Sequence, residues 1–153
     1  FCLVDIINEA VENHRWKMAG WRVHVVCNPE IKLYSYSKAI TLIIKQLIDN
    51  ALSHSSADQG QDPKIWIRAE DDQQGNVVMT FTDNGKGIKK EMVKNLCQPF
   101  FTTKRGPEGH IGLGLYMIYN LVNRSMNGRL YFPITGRGFC VQISMAKDIT
   151  DQI

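Results

Sequence analysis

The chain has 153 residues, 44% hydrophobic and 22% charged, with a formal net charge of +3. That is room for one domain with its own core, at the composition of an ordinary soluble globular protein. No run of five or six like charges offers a surface for nucleic acid or an anionic membrane, and no stretch approaches the roughly 20 apolar residues that span a bilayer. The four cysteines, Cys2, Cys27, Cys97 and Cys140, contain no C-x-x-C pair. A structural zinc site or redox pair is therefore unsupported, and buried reduced thiols are expected.

A short apolar start, Phe1 to Leu3, leads into an amphipathic stretch from Val4 to Lys17 with Ile6, Ile7, Ala10 and Val11 at helical spacing. Trp21 to Cys27 alternates, with Val23, Val25 and Cys27 on one side and Arg22 and His24 on the other. This predicts a strand ended by Asn28-Pro29. Ser37 to His54 is the strongest helix, its Ile40, Ile44, Leu47, Ile48 and Ala51 forming a broad apolar stripe. After a polar loop, Ser55 to Pro63, two strands are predicted. Lys64 to Glu70 places Ile65, Ile67 and Ala69 on one face; Val77 to Asp83 does the same with Val77, Met79 and Phe81. Asp71 to Asn76 between them has hairpin-turn composition. A short helix follows (Lys89 to Asn95), then an irregular stretch (Gln98 to Ile111) and a second apolar helix (Gly112 to Arg124). Two closing strands, Arg129 to Ile134 and Phe139 to Ala146, are joined through a Gly136–Gly138 turn. This order predicts an α+β domain over residues 1–153: a two-layer α/β sandwich whose mixed sheet of roughly five strands carries three main helices on one face.

Four groups of residues suit chemistry. Gln46, Asn50 and His54 recur every four residues on one helical face that borders the apolar stripe. Asparagine is disfavoured inside a helix. Its neutral carbonyl oxygen suits an octahedral Mg²⁺ already bound to phosphates, and a solvated asparagine fits the pattern as well. In Asp83-Asn84-Gly85-Lys86-Gly87-Ile88, Asp83 shares the parity of Val77, Met79 and Phe81, so its carboxylate points at the helix layer. There it can accept a hydrogen bond from an exocyclic amine such as that of adenine. Gly85 and Gly87 let the backbone approach a flat ring, although Asp-Asn-Gly is also an ordinary turn sequence. Gly112-Leu113-Gly114-Leu115 opens a helix, where free N–H groups and the helix dipole favour a phosphate. The Walker and G-x-G-x-x-G patterns are absent, and a lone G-x-G is weak. Pro99-Phe100-Phe101-Thr102-Thr103-Lys104 reads as a lid with an aromatic anchor, hydroxyls and a cation for phosphates, or as a plain surface loop.

Together and in this order, Asn50, the Asp83 turn, the Phe-Thr-Thr-Lys stretch and the Gly112 turn resemble the N, G1, F and G2 boxes of bacterial sensor histidine kinases. Those kinases belong to the wider gyrase, chaperone, histidine-kinase and mismatch-repair ATPase superfamily. The resemblance covers nearly the whole chain and implies the Bergerat fold, with ATP and Mg²⁺ as cofactors. It implies that Asn50, with Gln46 beside it, holds the metal, and that Asp83 reads the adenine amine over Gly85, Gly87 and Ile88. Gly112, Leu113, Gly114 and Leu115 would cradle phosphates, Thr102, Thr103 and Lys104 would close over them, and His54 would line the same cleft. Asn50 and Lys104 would carry the catalytic work.

Hydrolytic and serine-kinase members of the superfamily carry a glutamate one turn before the asparagine. Here that position is Gln46, which has no basic carboxylate to take a proton, whereas a neutral imidazole needs no such base. The resemblance thus implies γ-phosphoryl transfer to a histidine of a separate dimerisation domain in two-component signalling. That domain is expected before Phe1, since none of His14, His24, His54 and His110 has the acceptor context. A response-regulator receiver domain is the implied downstream partner, and the parent is expected to be a cytoplasmically facing homodimer. No nucleic acid and no direct membrane contact is expected for this stretch. Gln46 and Ser53, where asparagine and a basic residue are usual, and His110-Ile111 in place of Gly-Thr, keep two alternatives open: an ATP hydrolase of the same fold, or a nucleotide-sensing module without catalysis.

Overall fold

Alternation of apolar and polar residues builds the sheet. A computed structural model describes residues 1–54, 62–98, 114–136 and 138–152. Its strands are β1 (Arg22–Cys27), β2 (Lys64–Asp71), β3 (Asn76–Asp83), β4 (Arg129–Tyr131) and β5 (Cys140–Ala146), in the spatial order β1-β2-β3-β5-β4. β1 and β2 run parallel, with helix α2 (Ser37–His54) as the crossover that a parallel pair requires; the other pairs are antiparallel. Period-two alternation puts Ile65, Ile67, Ala69, Val77, Met79, Phe81, Val141, Ile143 and Met145 on one face, all buried. Register aligns them in rows: Ile67 opposite Phe81, and Phe81 opposite Val141.

Three helices cover that face. Helix α1 (Leu3–Asn13) contributes Leu3, Ile7, Ala10 and Val11; α2 contributes Ile40, Ile43, Ile44, Leu47, Ile48 and Ala51; α3 (Gly114–Asn120) and the turn after it contribute Ile118, Val122 and Met126. Burying one such side chain stabilises the fold by about 1.5–3 kcal/mol. The opposite face is open: His24 and Trp66 stack there with ring centroids 5.9 Å apart, and Val26 and Tyr131 are exposed. The fold is the predicted α+β sandwich with a five-stranded mixed sheet.

Boundaries differ from expectation where local chemistry intervenes. The α-helix of α1 stops at Asn13, short of the expected Lys17. A tight turn, Arg15–Lys17, follows instead and brings Met18 into the core. The helix expected over Lys89 to Asn95 is a 3₁₀ segment, Lys90–Asn95. After Asn120 the chain widens into a π-turn, Leu121–Ser125, that keeps Val122 buried. Strand β4 ends at Tyr131 rather than Ile134, since Pro133 lacks the N–H a ladder needs. The β2–β3 turn is held by Asp72, whose Oδ1 accepts from the amides of Gln74 (2.7 Å) and Asn76 (2.9 Å).

Candidate functional site

Where β3 ends beside β5, its alternation delivers one carboxylate to the helix side of the sheet. Asp83 is 2% exposed and is the only buried charged side chain among the described residues. Burying a carboxylate is costly unless hydrogen bonds compensate. Asp83 Oδ1 accepts from the backbone N–H of Gly85 (2.9 Å) and of Phe139 (3.1 Å), while the Asp83 amide donates to the Phe139 carbonyl (3.0 Å). The carboxylate is therefore fixed by main chain just past the end of β3 and just before β5 rather than left to rotate.

Glycine makes that contact possible. Gly138 has φ +57°, and a Cβ there would lie 1.9 Å from the Asp83 carbonyl oxygen and 2.9 Å from Oδ1. Gly87 has φ +72°, and its Cβ would lie 2.7 Å from the Gly138 carbonyl oxygen. On the side where a Gly87 Cβ would stand lies the Gly138 backbone, which in turn packs against Asp83. Asn84, beside Asp83, staples the start of β2, accepting from the Lys64 amide (2.8 Å) and donating to the Asp62 carbonyl (2.8 Å). Ile88 is half-buried against the core.

The second group lies between α2 and α3. Gln46 and Asn50 are half-buried one turn apart on α2. A Cβ on Gly114, the first residue of α3, would meet Gln46 Oε1 at 3.1 Å, so the polar face of α2 abuts the first turn of α3. Leu115 packs against the core from that turn. Asp49, immediately before Asn50, faces away and binds Lys17 and Lys45, each at 3.1 Å. Burial raises the Asp49 pKa, but hydrogen bonds from Lys17 and Lys45 outweigh it and hold the carboxyl below its ordinary value. This cluster locks α2 to the segment after α1 and was not anticipated from sequence, because its partners are 32 residues apart. The Gly138–Phe139 buttress was also missed: Gly136-x-Gly138 reads locally as nothing more than a turn.

Of the candidate residues, the structure groups Asp83 with Gly85 and Gly87, and brings Gln46, one turn before Asn50 on α2, against Gly114. Thr102, Thr103, Lys104, Gly112, Leu113 and the side chain of His54 lie outside the described residues, as does His110.

The description "Histidine kinase-, DNA gyrase B-, and HSP90-like ATPase" matches residues 35–149. The chain belongs to this ATPase family. Among curated relatives of this histidine kinase-like chain, the C4-dicarboxylate transport sensor protein DctB of Pseudomonas aeruginosa is 39% identical over 88 residues, covering 58% of this chain and 14% of that protein. The sensor histidine kinase CssS of Bacillus subtilis is 23% identical over 124 residues, 80% of this chain and 25% of that protein. The chain thus spans a quarter or less of the length of these relatives. Among solved structures, the catalytic domain of histidine kinase ThkA superposes with a TM-score of 0.83 at 22% identity, covering 97% of this chain and 94% of that one. The mycobacterial sensor histidine kinase MprB gives 0.80 at 19% identity over 97% and 96% of the two chains. The family's histidine kinase catalytic domains therefore share this chain's fold. Among the described residues no helix is long and apolar enough to cross a membrane.

Proposed function

We propose that this chain binds ATP with Mg²⁺ and delivers the γ-phosphoryl group to a histidine on a separate helical dimerisation domain, as the catalytic part of a two-component sensor. The observation that carries the reading is the buried carboxylate of Asp83, held by the Gly85 and Phe139 amides. A fixed acceptor on the helix side of the sheet suits an exocyclic amine.

Asn50 offers a neutral oxygen from the half-buried face of α2, beside the first turn of α3, where Gly114 and Leu115 present backbone N–H groups. Among the described residues no cluster of three or more His, Cys, Asp or Glu side chains exists to cage a metal unaided. A side-chain amide oxygen together with ligand phosphates is the kind of donor set Mg²⁺ accepts. When bound, the metal supplies charge neutralisation on the phosphates. Gln46 lacks a carboxylate and cannot activate water as a general base, which favours a histidine acceptor. We assign Thr102, Thr103, Lys104, Gly112, Leu113 and His54 to the same cleft on their sequence positions. The complex of ThkA with the response regulator protein TrrA, whose kinase has the fold of this chain, supports a receiver domain as downstream partner. A homodimeric parent and a cytoplasmic setting, where ATP is plentiful, belong to the same reading.

The test supplies the chain with γ-labelled ATP and the helical acceptor domain of a related kinase. Label on the acceptor histidine, lost in Asn50→Ala, supports the proposal. Steady phosphate release without an acceptor, abolished by Gln46→Ala, supports a hydrolase instead. Nucleotide binding indifferent to Mg²⁺ and to Asn50→Ala supports a sensing module.

A further inference from the structure

Gly114 opens α3, and a Cβ there would stand 3.1 Å from Gln46 Oε1 on α2. Gln46 projects from α2 one turn before Asn50, and both are half-buried. The bare Cα of Gly114 thus lets the Gln46 amide pack closely against the first turn of α3. We infer that Gln46 is a positioning residue: its amide packs against the bare Cα of Gly114 and sets the gap between α2 and the first turn of α3, and so the distance from Asn50 to the N–H groups of that turn. This rests on the nucleotide-binding reading above and reassigns one part of it. In that reading the backbone of Gly114 still serves the phosphates, while its lack of a side chain serves Gln46.

The geometry makes the two positions interdependent. A methyl on residue 114 crowds the Gln46 amide, and the tightly packed pair yields by widening the gap slightly. With Gln46 shortened by one methylene, about 1.5 Å, the same methyl meets nothing. If the bare Cα of Gly114 instead exists to admit phosphate, the methyl obstructs the ligand whatever stands at position 46.

The experiment is a double-mutant cycle on the affinity of a non-hydrolysable ATP analogue with Mg²⁺, using the whole chain, Gly114→Ala, Gln46→Asn and the double variant. The inference predicts that Gly114→Ala alone weakens binding about tenfold. In the Gln46→Asn background the same change weakens it less than twofold. Unfolding midpoints stay level or rise slightly, because alanine is the better helix former. A second background, Gln46→Ala, gives the same result and covers a poorly folding Asn variant. A tenfold loss from Gly114→Ala in every background overturns the inference while leaving nucleotide binding intact. Absence of analogue binding to the unmodified chain overturns both.

Discussion

Asp83→Asn separates the carboxylate's structural duty from its proposed ligand duty. Asparagine keeps one acceptor oxygen, so the amides of Gly85 (2.9 Å) and Phe139 (3.1 Å) retain their partner and β3 and β5 stay tied. What changes is the other half of the head group, where an oxygen becomes an NH₂ that meets an adenine amine donor to donor. A hydrogen bond to a charged group contributes about 1.5–3 kcal/mol. Its removal therefore weakens ATP binding by about 10- to 150-fold, at 1.4 kcal/mol per factor of ten. The assay is calorimetric titration with a non-hydrolysable ATP analogue, alongside urea unfolding of the same variant. An affinity within threefold of the parent, with the fold intact, refutes the adenine assignment. A collapse of stability by several kcal/mol instead shows that the charge itself holds the strands together.

Gly138→Ala should damage both fold and binding. A left-handed alanine costs about 1–2 kcal/mol, and a methyl 1.9 Å from the Asp83 carbonyl oxygen forces a backbone shift costing a further 1–3 kcal/mol or so. Urea midpoints read the loss, and less than about 1 kcal/mol contradicts the packing described. Phe81→Ala, at a fully buried position in the middle of the sheet, should cost about 3–5 kcal/mol by the same measurement. Burial and the Lys17 and Lys45 cations hold His14 below its ordinary value of 6.5, against the pull of Asp49. As pH falls through 6.5 the unfolded chain takes this proton first, so stability falls from there downward. Asp49, held below 3.8, adds stability above that value, which disappears as pH falls through its lowered folded value. His14→Gln should abolish the upper limb and keep the lower one. An unchanged urea-midpoint profile between about pH 7.5 and 5.5 rules the His14 contribution out.

Elements whose burial is decided by their own residues were legible. Ser37–His54 has the boundaries its apolar stripe predicts, and β2 and β3 differ from expectation by a residue because each alternates cleanly toward one core. The parity argument also placed Asp83 correctly, since it needs only the pleat. What escaped was set by partners distant in sequence. β5 lies between β3 and β4, the Asp49 cation cluster joins two helical segments, and Gly138 matters only because β5 brings it against a residue 55 positions earlier. The contact of Gly87 with the Gly138 backbone was hidden too, because sequence shows which residue lacks a side chain but not what packs against it. The π-turn after Asn120 was hidden for a related reason: Ile118, Val122 and Met126 keep a four-residue spacing that a plain α-helix satisfies equally well.

The most direct measurement is calorimetric titration of the chain with a non-hydrolysable ATP analogue, in excess Mg²⁺ and again in excess chelator. One-to-one binding that weakens at least tenfold without the metal, and loses most of that metal dependence in Asn50→Ala, is the predicted result. No heat of binding, or an affinity that ignores both the chelator and Asn50→Ala, contradicts a nucleotide held between Asp83 and the α2 helix.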